Sequence, residues 1–109
     1  SCGEPSPIAW GILHDFADGY IVCRDYVAAR GMRILANPLG DDEKVIAGES
    51  GAVGIGLLSL LLQAEDCAEL RAQLGLDANS SILFFNTEGD TDPVSYRQIL
   101  WDGKYPLPV

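Results

Sequence analysis

The stretch that decides the fold of this 109-residue chain is Gly48-Glu49-Ser50-Gly51-Ala52-Val53-Gly54-Ile55-Gly56, which runs into Leu57-Leu58-Ser59-Leu60-Leu61-Leu62. A helix over these residues is apolar on nearly every side, which predicts a central helix that is buried on most faces. Ser50 is the predicted N-cap. Each glycine inside the helix costs about 1 kcal/mol of helix propensity. Close packing of the backbone against a sheet or a ligand would compensate for this cost.

Four further helices are predicted on either side of this one. Proline at a first turn, side chains that cap helix ends, and apolar residues at helical spacing mark them. The predicted helices are one that opens at Pro5-Ser6-Pro7, one from about Tyr26 to Ala36 with Asp25 as N-cap, a short one with a capping box of Asp66 and Glu69 and with Gly75 after its end, and one that opens at Asp92-Pro93 and runs to about Leu100.

Two short apolar runs are typical of buried strands, Gly19-Tyr20-Ile21-Val22-Cys23 and Ser81-Ile82-Leu83-Phe84-Phe85. A third run, Val45-Ile46, is expected to be a short strand or an extended approach to the central helix. A continuous apolar run is the pattern of a strand that is covered on both faces in a parallel sheet. Because strands alternate with helices, the predicted fold class is α/β with a parallel sheet.

Composition limits the possible partners. The chain has 16 Asp and Glu against 7 Lys and Arg, which gives a formal charge of −9. Nucleic acids and anionic membranes bind clustered basic residues, so we expect neither as a partner. No run of about 18 apolar residues is present, and we expect no membrane span. The chain begins Ser-Cys-Gly without a leader, so we expect a single domain that is a piece of something longer rather than a secreted precursor.

Cysteine and histidine use points to a cytoplasmic, reducing setting without a metal site. Cys2, Cys23 and Cys67 are odd in number and lack the C-x-x-C spacing of zinc or redox motifs. Each is expected to be a buried or half-buried free thiol. His14 is the only histidine, which argues against a histidine-based metal centre.

Three polar segments are candidates for a binding site. Ligands of open α/β sheets bind beyond the carboxyl ends of the strands, which selects the loop from Asn86 to Asp92 after one strand and Arg24-Asp25 after another. The third candidate is Glu49-Ser50, at the start of the central helix, where an anion is favoured or Glu49 accepts donors from a ligand. The alternative is that Ser50 only caps its helix and that the loop carboxylates only satisfy turns.

Four motifs in order resemble the diaminopropionate ammonia-lyase family. They are Cys2-Gly3-Glu4-Pro5, Tyr26-Val27-Ala28-Ala29-Arg30-Gly31-Met32-Arg33, Gly48-Glu49-Ser50-Gly51-Ala52-Val53-Gly54 and Thr87-Glu88-Gly89-Asp90-Thr91-Asp92. The ending, Tyr96-Arg97 and Trp101-Asp102-Gly103-Lys104, is similar as well. The resemblance covers essentially the whole chain but only the C-terminal portion of that enzyme.

The resemblance implies the fold, the cofactor and the activity of the parent protein. Residues 1–109 would be a single partial domain, the C-terminal part of the large cofactor-binding domain of a fold-type II pyridoxal-phosphate enzyme. The parent would be a homodimer that binds pyridoxal 5′-phosphate and cleaves 2,3-diaminopropionate by α,β-elimination to pyruvate and ammonia. The Schiff-base lysine and the glycine-rich phosphate loop would lie in earlier sequence. We therefore expect this chain alone to be inactive and to contain no catalytic residue.

The resemblance also assigns site residues by position. The Glu49-Ser50 pair matches the pair that lies near the cofactor ring, and Gly89 matches the loop beside it. A hydroxyl residue at the end of the next strand faces the pyridine nitrogen in this fold, and here that position falls on Asn86, with Thr87 one step on. These five residues are the predicted cofactor-binding set. Glu4 and Asp90 are the predicted substrate-binding residues.

Two other interpretations are open. The parent could be another fold-type II enzyme, such as a threonine dehydratase-like lyase, which shares the Glu49 motif but less of the loop from Glu88 to Asp92. Alternatively, the chain could be a non-catalytic binding module that derives from the enzyme. A Ser/Asn-x-Lys strand in the upstream coding sequence would distinguish between them.

Overall fold

Helices dominate the computed structural model, which describes residues 6–108. Within these residues five α-helices and one 3₁₀ helix follow each other along the chain. They are α1 (Pro7–Phe16), α2 (Asp25–Ala36), α3 (Glu49–Gln63), the 3₁₀ helix (Glu65–Cys67), α4 (Ala68–Leu74) and α5 (Pro93–Leu100). Each helix predicted from the sequence is therefore present.

The backbones of α2 and α3 touch where the two helices cross. A Cβ atom on Gly31 of α2 would collide with the carbonyl group of Ala52, and one on Gly56 of α3 would collide with the carbonyl group of Val27. Only glycine permits this approach, because it has no side chain. The cost of glycine inside α3 is thus compensated by packing against another helix, rather than against a sheet or a ligand.

A small core surrounds the crossing of α2 and α3. Ile99 of α5 is only 1% exposed and brings that helix against α2. The buried core residues are Ala29, Met32, Ala47, Ala52 and Ile99, with Leu35, Tyr96 and Leu100 packed around them. The core therefore joins α2, α3 and α5, and it includes the segment immediately before α3.

Two of the predicted helix ends are confirmed. The Asp92 carboxylate accepts a hydrogen bond from the Ser95 amide at 3.1 Å, and Pro93 occupies the first turn of α5. Gly75 ends α4 with φ at 69°, the left-handed conformation in which glycine carries no steric penalty. The interaction that caps the end of α3 was not predicted from the sequence. The Arg71 guanidinium donates to the carbonyl oxygens of Leu61 and Ala64 at 2.5 and 2.8 Å.

Three predicted caps are wrong. Asp25 is the first residue of α2, and Arg24 is its N-cap. Likewise, α3 begins at Glu49 after Gly48, so Ser50 lies inside the helix and caps nothing. No side chain caps α4, because a 3₁₀ turn precedes it and displaces the expected capping box. In all three places the helix begins with a different residue from the one that the capping pattern indicates.

The predicted parallel sheet is not confirmed within residues 6–108. The three apolar runs expected to be strands have no assigned strand, and no ladder of hydrogen bonds joins them. Val22 and Phe85 are 98% and 76% exposed, although they were expected to be buried. The physical reason is that extended backbone becomes a strand only when a neighbour pairs with its N–H and C=O groups. The described part of the chain contains no such neighbour.

Helix α1 lies on the surface. None of its residues is buried, and its apolar side chains Ile8, Trp10, Ile12, Leu13 and Phe16 are all exposed. The Ser6 hydroxyl accepts from the Ala9 amide at 3.3 Å, so α1 begins as Pro5-Ser6-Pro7 predicts. The helix thus has an N-cap but no core of its own.

Arg33 of α2 fixes the segment after α5. Its guanidinium donates to the carbonyl oxygens of Ile99 at 3.1 Å and Tyr105 at 3.4 Å, and also to that of Lys104. The residues from Trp101 to Tyr105 therefore form a tail that is attached to α2.

Two of the three cysteines lie in the described residues. Cys23 and Cys67 are free and half-buried, as expected, and Cys2 lies outside the described residues.

No single helix in residues 6–108 has the length and apolar character needed to cross a membrane. The segments Glu49–Gln63 and Glu65–Leu74 pass that test only as a pair, by length and composition, and they are bent by 100°.

We predict that Gly56→Ala lowers the free energy of unfolding by about 1–3 kcal/mol, because the new methyl group forces α2 and α3 apart. Urea denaturation of the chain measures this loss. The matched control is Gly11→Ala in α1, where no atom lies within 4 Å of the added methyl group. The control is expected to be neutral or stabilising by up to about 1 kcal/mol. Equal losses at the two positions would contradict the account of the helix crossing.

Candidate active-site cleft

A cleft of about 490 Å³ lies where α3 begins, between that helix, the loop before α5 and the first turn of α5. The Gly48 amide donates to the Glu88 carbonyl at 3.0 Å and joins two of its walls. The lining residues are Met32, Gly48, Glu49, Ser50, Glu88, Gly89, Asp90, Thr91, Asp92, Ser95 and Tyr96. Two of the three polar segments that the sequence selected, Glu49-Ser50 and the loop from Asn86 to Asp92, therefore contribute to one cleft. The third, Arg24-Asp25, is not among its lining residues.

The cleft is acidic. Its lining contains four carboxylates, those of Glu49, Glu88, Asp90 and Asp92, and no lysine or arginine. Low-dielectric walls with one sign of charge attract ions of the opposite sign. The lining therefore favours a ligand that carries positive charge, such as an ammonium group.

Two of the carboxylates already accept hydrogen bonds from their own loop. The Thr91 hydroxyl donates to Glu88 Oε1 at 2.7 Å, and the Ser95 amide donates to Asp92 Oδ1 at 3.1 Å. No side chain or backbone amide within residues 6–108 donates to the carboxylate of Glu49 or Asp90. These two carboxylates are the ones available to a ligand.

The N-terminus of α3 forms one wall of the cleft. Gly48 is its N-cap residue and provides no side-chain acceptor, so the amides of the first turn receive no capping hydrogen bond. Unpaired N–H groups at a helix start carry partial positive charge and favour an anionic group. The cleft therefore places carboxylates beside the positive end of a helix, an arrangement suited to a ligand with charges of both signs.

Most of the predicted site residues lie at this cleft. Glu49, Ser50, Gly89 and Asp90 line it. Asn86 lies beside it, where its amide donates to the Ile46 carbonyl at 3.2 Å and its side chain packs on Gly51. Thr87 is exposed and is not among the lining residues. Glu4 lies outside the described residues.

Sequence reasoning missed the wall that Tyr96 forms. Tyr96 lines the cleft from the first turn of α5, and its hydroxyl is buried with no hydrogen-bond partner in residues 6–108. Burying a hydroxyl without a partner costs about 1–3 kcal/mol. Burial, and secondarily the negative charge of Asp90, raise the pKa of Tyr96 above its ordinary value of 10.0. The signal in the sequence was its position, four residues after the Asp92 cap, which brings it close to the loop.

The described residues contain no metal-binding group. Within residues 6–108 no three side chains of His, Cys, Asp or Glu are arranged to hold a metal ion. The lining carboxylates are thus spread around the cleft rather than gathered at one point.

Comparison with known proteins agrees with the motifs. No protein-family model matches the chain. The chain is 46% identical over 107 residues to the diaminopropionate ammonia-lyase of Escherichia coli K12, which is 98% of this chain and 27% of that relative. It is 45% identical over 105 residues to the diaminopropionate ammonia-lyase of Salmonella typhimurium LT2, which is 95% of this chain and 26% of the relative.

Solved structures give the same result. The chain matches the Escherichia coli enzyme in complex with D-serine with a TM-score of 0.89 and 45% identity, over 97% of this chain and 27% of that one. It matches the same enzyme in complex with an aminoacrylate–pyridoxal-phosphate azomethine reaction intermediate with a TM-score of 0.89 and 45% identity, over 97% of this chain and 28% of that one.

In both fold and sequence, the chain is similar to one segment of the diaminopropionate ammonia-lyases that it matches. The resemblance to the diaminopropionate ammonia-lyase family, which the sequence motifs indicate, is confirmed. It extends over about a quarter of the length of the relatives that the chain matches.

We predict that Asp92→Ala destabilises α5 by about 1 kcal/mol, because the Ser95 amide loses its acceptor. Asp92→Asn keeps an acceptor oxygen and is the matched control. Urea denaturation gives the free energy of unfolding, and amide exchange at Ser95 reports on the cap itself. If Asp92→Asn lowers the free energy of unfolding as much as Asp92→Ala does, the loss comes from the missing negative charge and not from the missing capping hydrogen bond.

Proposed function

We propose that this chain is part of a pyridoxal-phosphate-dependent diaminopropionate ammonia-lyase and provides one wall of its active site. The observation that carries the proposal is the 46% identity to such an enzyme over 98% of the chain. The position of the cleft supports it, because the motifs around Glu49 and Asp90 carry the resemblance and meet there.

The residues of the cleft fit a pyridoxal phosphate cofactor. Gly48 and Gly89 both line the cleft. A Cβ atom on Gly48 would lie 3.0 Å from the Gly89 carbonyl oxygen, so glycine at this position lets the start of α3 pack closely against the loop. No atom lies within 4 Å of a Cβ atom on Gly89, so this side of the cleft has room for a flat ring. The proposal assigns Glu49, Ser50, Asn86, Thr87 and Gly89 to the cofactor. When bound, pyridoxal phosphate supplies an electron sink for the α-carbon of an amino acid.

This chain's own residues would bind and orient the substrate. The carboxylates of Glu49 and Asp90 attract the amino groups of a diamino acid, and the proposal assigns Asp90, with Glu4, to the substrate. Asn86 and Thr87 are neutral, so as partners of the ring nitrogen they would not hold it protonated as an aspartate would. The cleft offers no basic side chain for the cofactor phosphate. That group would be held by residues of the intact protein outside this chain.

The Schiff-base lysine would also come from outside this chain. Lys44 is exposed beside Asp42 and Glu43, and Lys104 directs its amine to the Gln98 side chain at 3.4 Å. Neither lysine lines the cleft. The chain by itself is therefore expected to bind the cofactor only weakly and without covalent attachment.

The exposed apolar segments fit a larger fold. In the intact protein, residues 19–23 and 81–85 would pair with neighbouring strands and form the parallel sheet of a fold-type II cofactor-binding domain. Trp101 in the tail is 83% exposed, which supports contact with a second subunit in a homodimer. The half-buried free thiols of Cys23 and Cys67 suit a reducing cytoplasm.

The test compares two proteins, the intact enzyme that contains this segment and the 109-residue chain alone. The intact enzyme loaded with pyridoxal phosphate is expected to release pyruvate from 2,3-diaminopropionate. The chain alone is expected to release none and to show no stoichiometric absorbance band from bound cofactor.

Turnover of threonine but not of diaminopropionate by the intact enzyme would instead support the threonine dehydratase-like alternative. No turnover of either substrate would support the binding module. Pyruvate release by the chain alone would show that Lys44 or Lys104 is catalytic, contrary to the proposal.

A further inference from the structure

The Tyr96 hydroxyl stands out because nothing in residues 6–108 pairs with it. The ring of Tyr96 packs against the core, its side chain lines the cleft, and its hydroxyl oxygen is inaccessible to solvent. Buried polar groups without a partner are rare in folded proteins, and each one needs a physical explanation. A hydrogen-bond partner that moves into place when a ligand binds in the cleft would explain the unpaired hydroxyl of Tyr96.

Asp90 is the natural partner. It lines the same cleft as Tyr96, and its negative charge lies close enough to contribute to the raised pKa of Tyr96. A tyrosine hydroxyl is protonated at neutral pH and can donate a hydrogen bond. Burial first, and the negative charge of Asp90 second, raise the pKa of Tyr96 further above its ordinary value of 10.0. Glu88 and Asp92 already accept from Thr91 and Ser95, whereas no donor to the Asp90 carboxylate is present in residues 6–108.

We propose that Tyr96 is a positioning residue: when a ligand occupies the cleft, its hydroxyl donates to the Asp90 carboxylate and turns that group towards an ammonium group of the ligand. The inference rests on the proposed function, since a diamino acid brings a second ammonium group to the cleft. Four lining carboxylates without a lysine or arginine favour that charge. The pair would therefore contribute to the selection of diamino acids over hydroxy amino acids.

The test uses the intact enzyme with the variants Tyr96→Phe, Asp90→Asn and the double substitution. Tyr96→Phe is expected to raise KM for 2,3-diaminopropionate about tenfold and to change kcat less than about twofold, because it removes one hydrogen bond to a charged group. Asp90→Asn should raise KM at least as much, and the double variant should match Asp90→Asn alone, because Tyr96 acts through Asp90. D-serine, used as a competitive inhibitor, has no second ammonium group, so its inhibition constant should stay the same.

Tyr20→Phe is the matched control, since its hydroxyl donates to the Leu13 carbonyl at 2.7 Å and takes no part in the cleft. The inference is overturned if Tyr96→Phe leaves KM unchanged, or if the two effects add in the double variant. If Tyr96→Phe lowers Tm strongly, the comparison of the two ligands in that variant decides. An equal loss of affinity for D-serine and diaminopropionate overturns the inference, because a structural defect weakens the binding of both ligands, whereas the loss of positioning weakens only that of diaminopropionate. If the wild-type enzyme does not turn over diaminopropionate, the proposed function is refuted together with this inference. If the wild-type enzyme turns it over and the variants have an unchanged KM, only this inference is refuted.

Discussion

The close crossing of α2 and α3 is the contact on which the rest of this structure depends. Gly31 and Gly56 place each helix against the carbonyl groups of the other, at a separation that no larger residue permits. Such an approach brings many atoms into van der Waals contact, although each contact is weak. It offsets the low helix propensity of a glycine-rich segment. The core of Ala29, Met32 and Ala52 then fills the remaining space on the same side.

The crossing also determines where the cleft lies. Once α3 is fixed on α2, its first turn faces the loop from Asn86 to Asp92, and the Gly48 amide reaches the Glu88 carbonyl at 3.0 Å. Asn86 adds a second connection by packing on Gly51. Helix α5, held on α2 through Ile99, brings Tyr96 to the opposite wall. Carboxylates from distant parts of the sequence thereby share one site and one negative electrostatic field.

Local signals in the sequence predicted the helices and two of the segments that meet at the cleft, while features that depend on neighbouring residues escaped prediction. Asp92-Pro93 specifies its helix start locally, through the Asp92 side chain and the fixed φ of Pro93, and the structure confirms it. Ser50 failed as a cap because the helix begins one residue before it, at Glu49. The runs at 19–23 and 81–85 have strand composition, but a strand also needs a paired neighbour, and the described residues supply none. The role of Tyr96 at the cleft was missed because it depends on a buried hydroxyl without a hydrogen-bond partner, which is visible only in the folded structure.

The claim that the helix crossing supports the cleft is tested most directly by amide hydrogen exchange at Gly48. This amide joins α3 to the cleft loop through the Glu88 carbonyl. The account predicts slow exchange at Gly48 in the wild-type chain and faster exchange in Gly56→Ala, in step with the core amides of α2. Unchanged protection of Gly48 in a Gly56→Ala variant whose α2 and α3 amides exchange faster would contradict it, because the cleft would then form without the crossing.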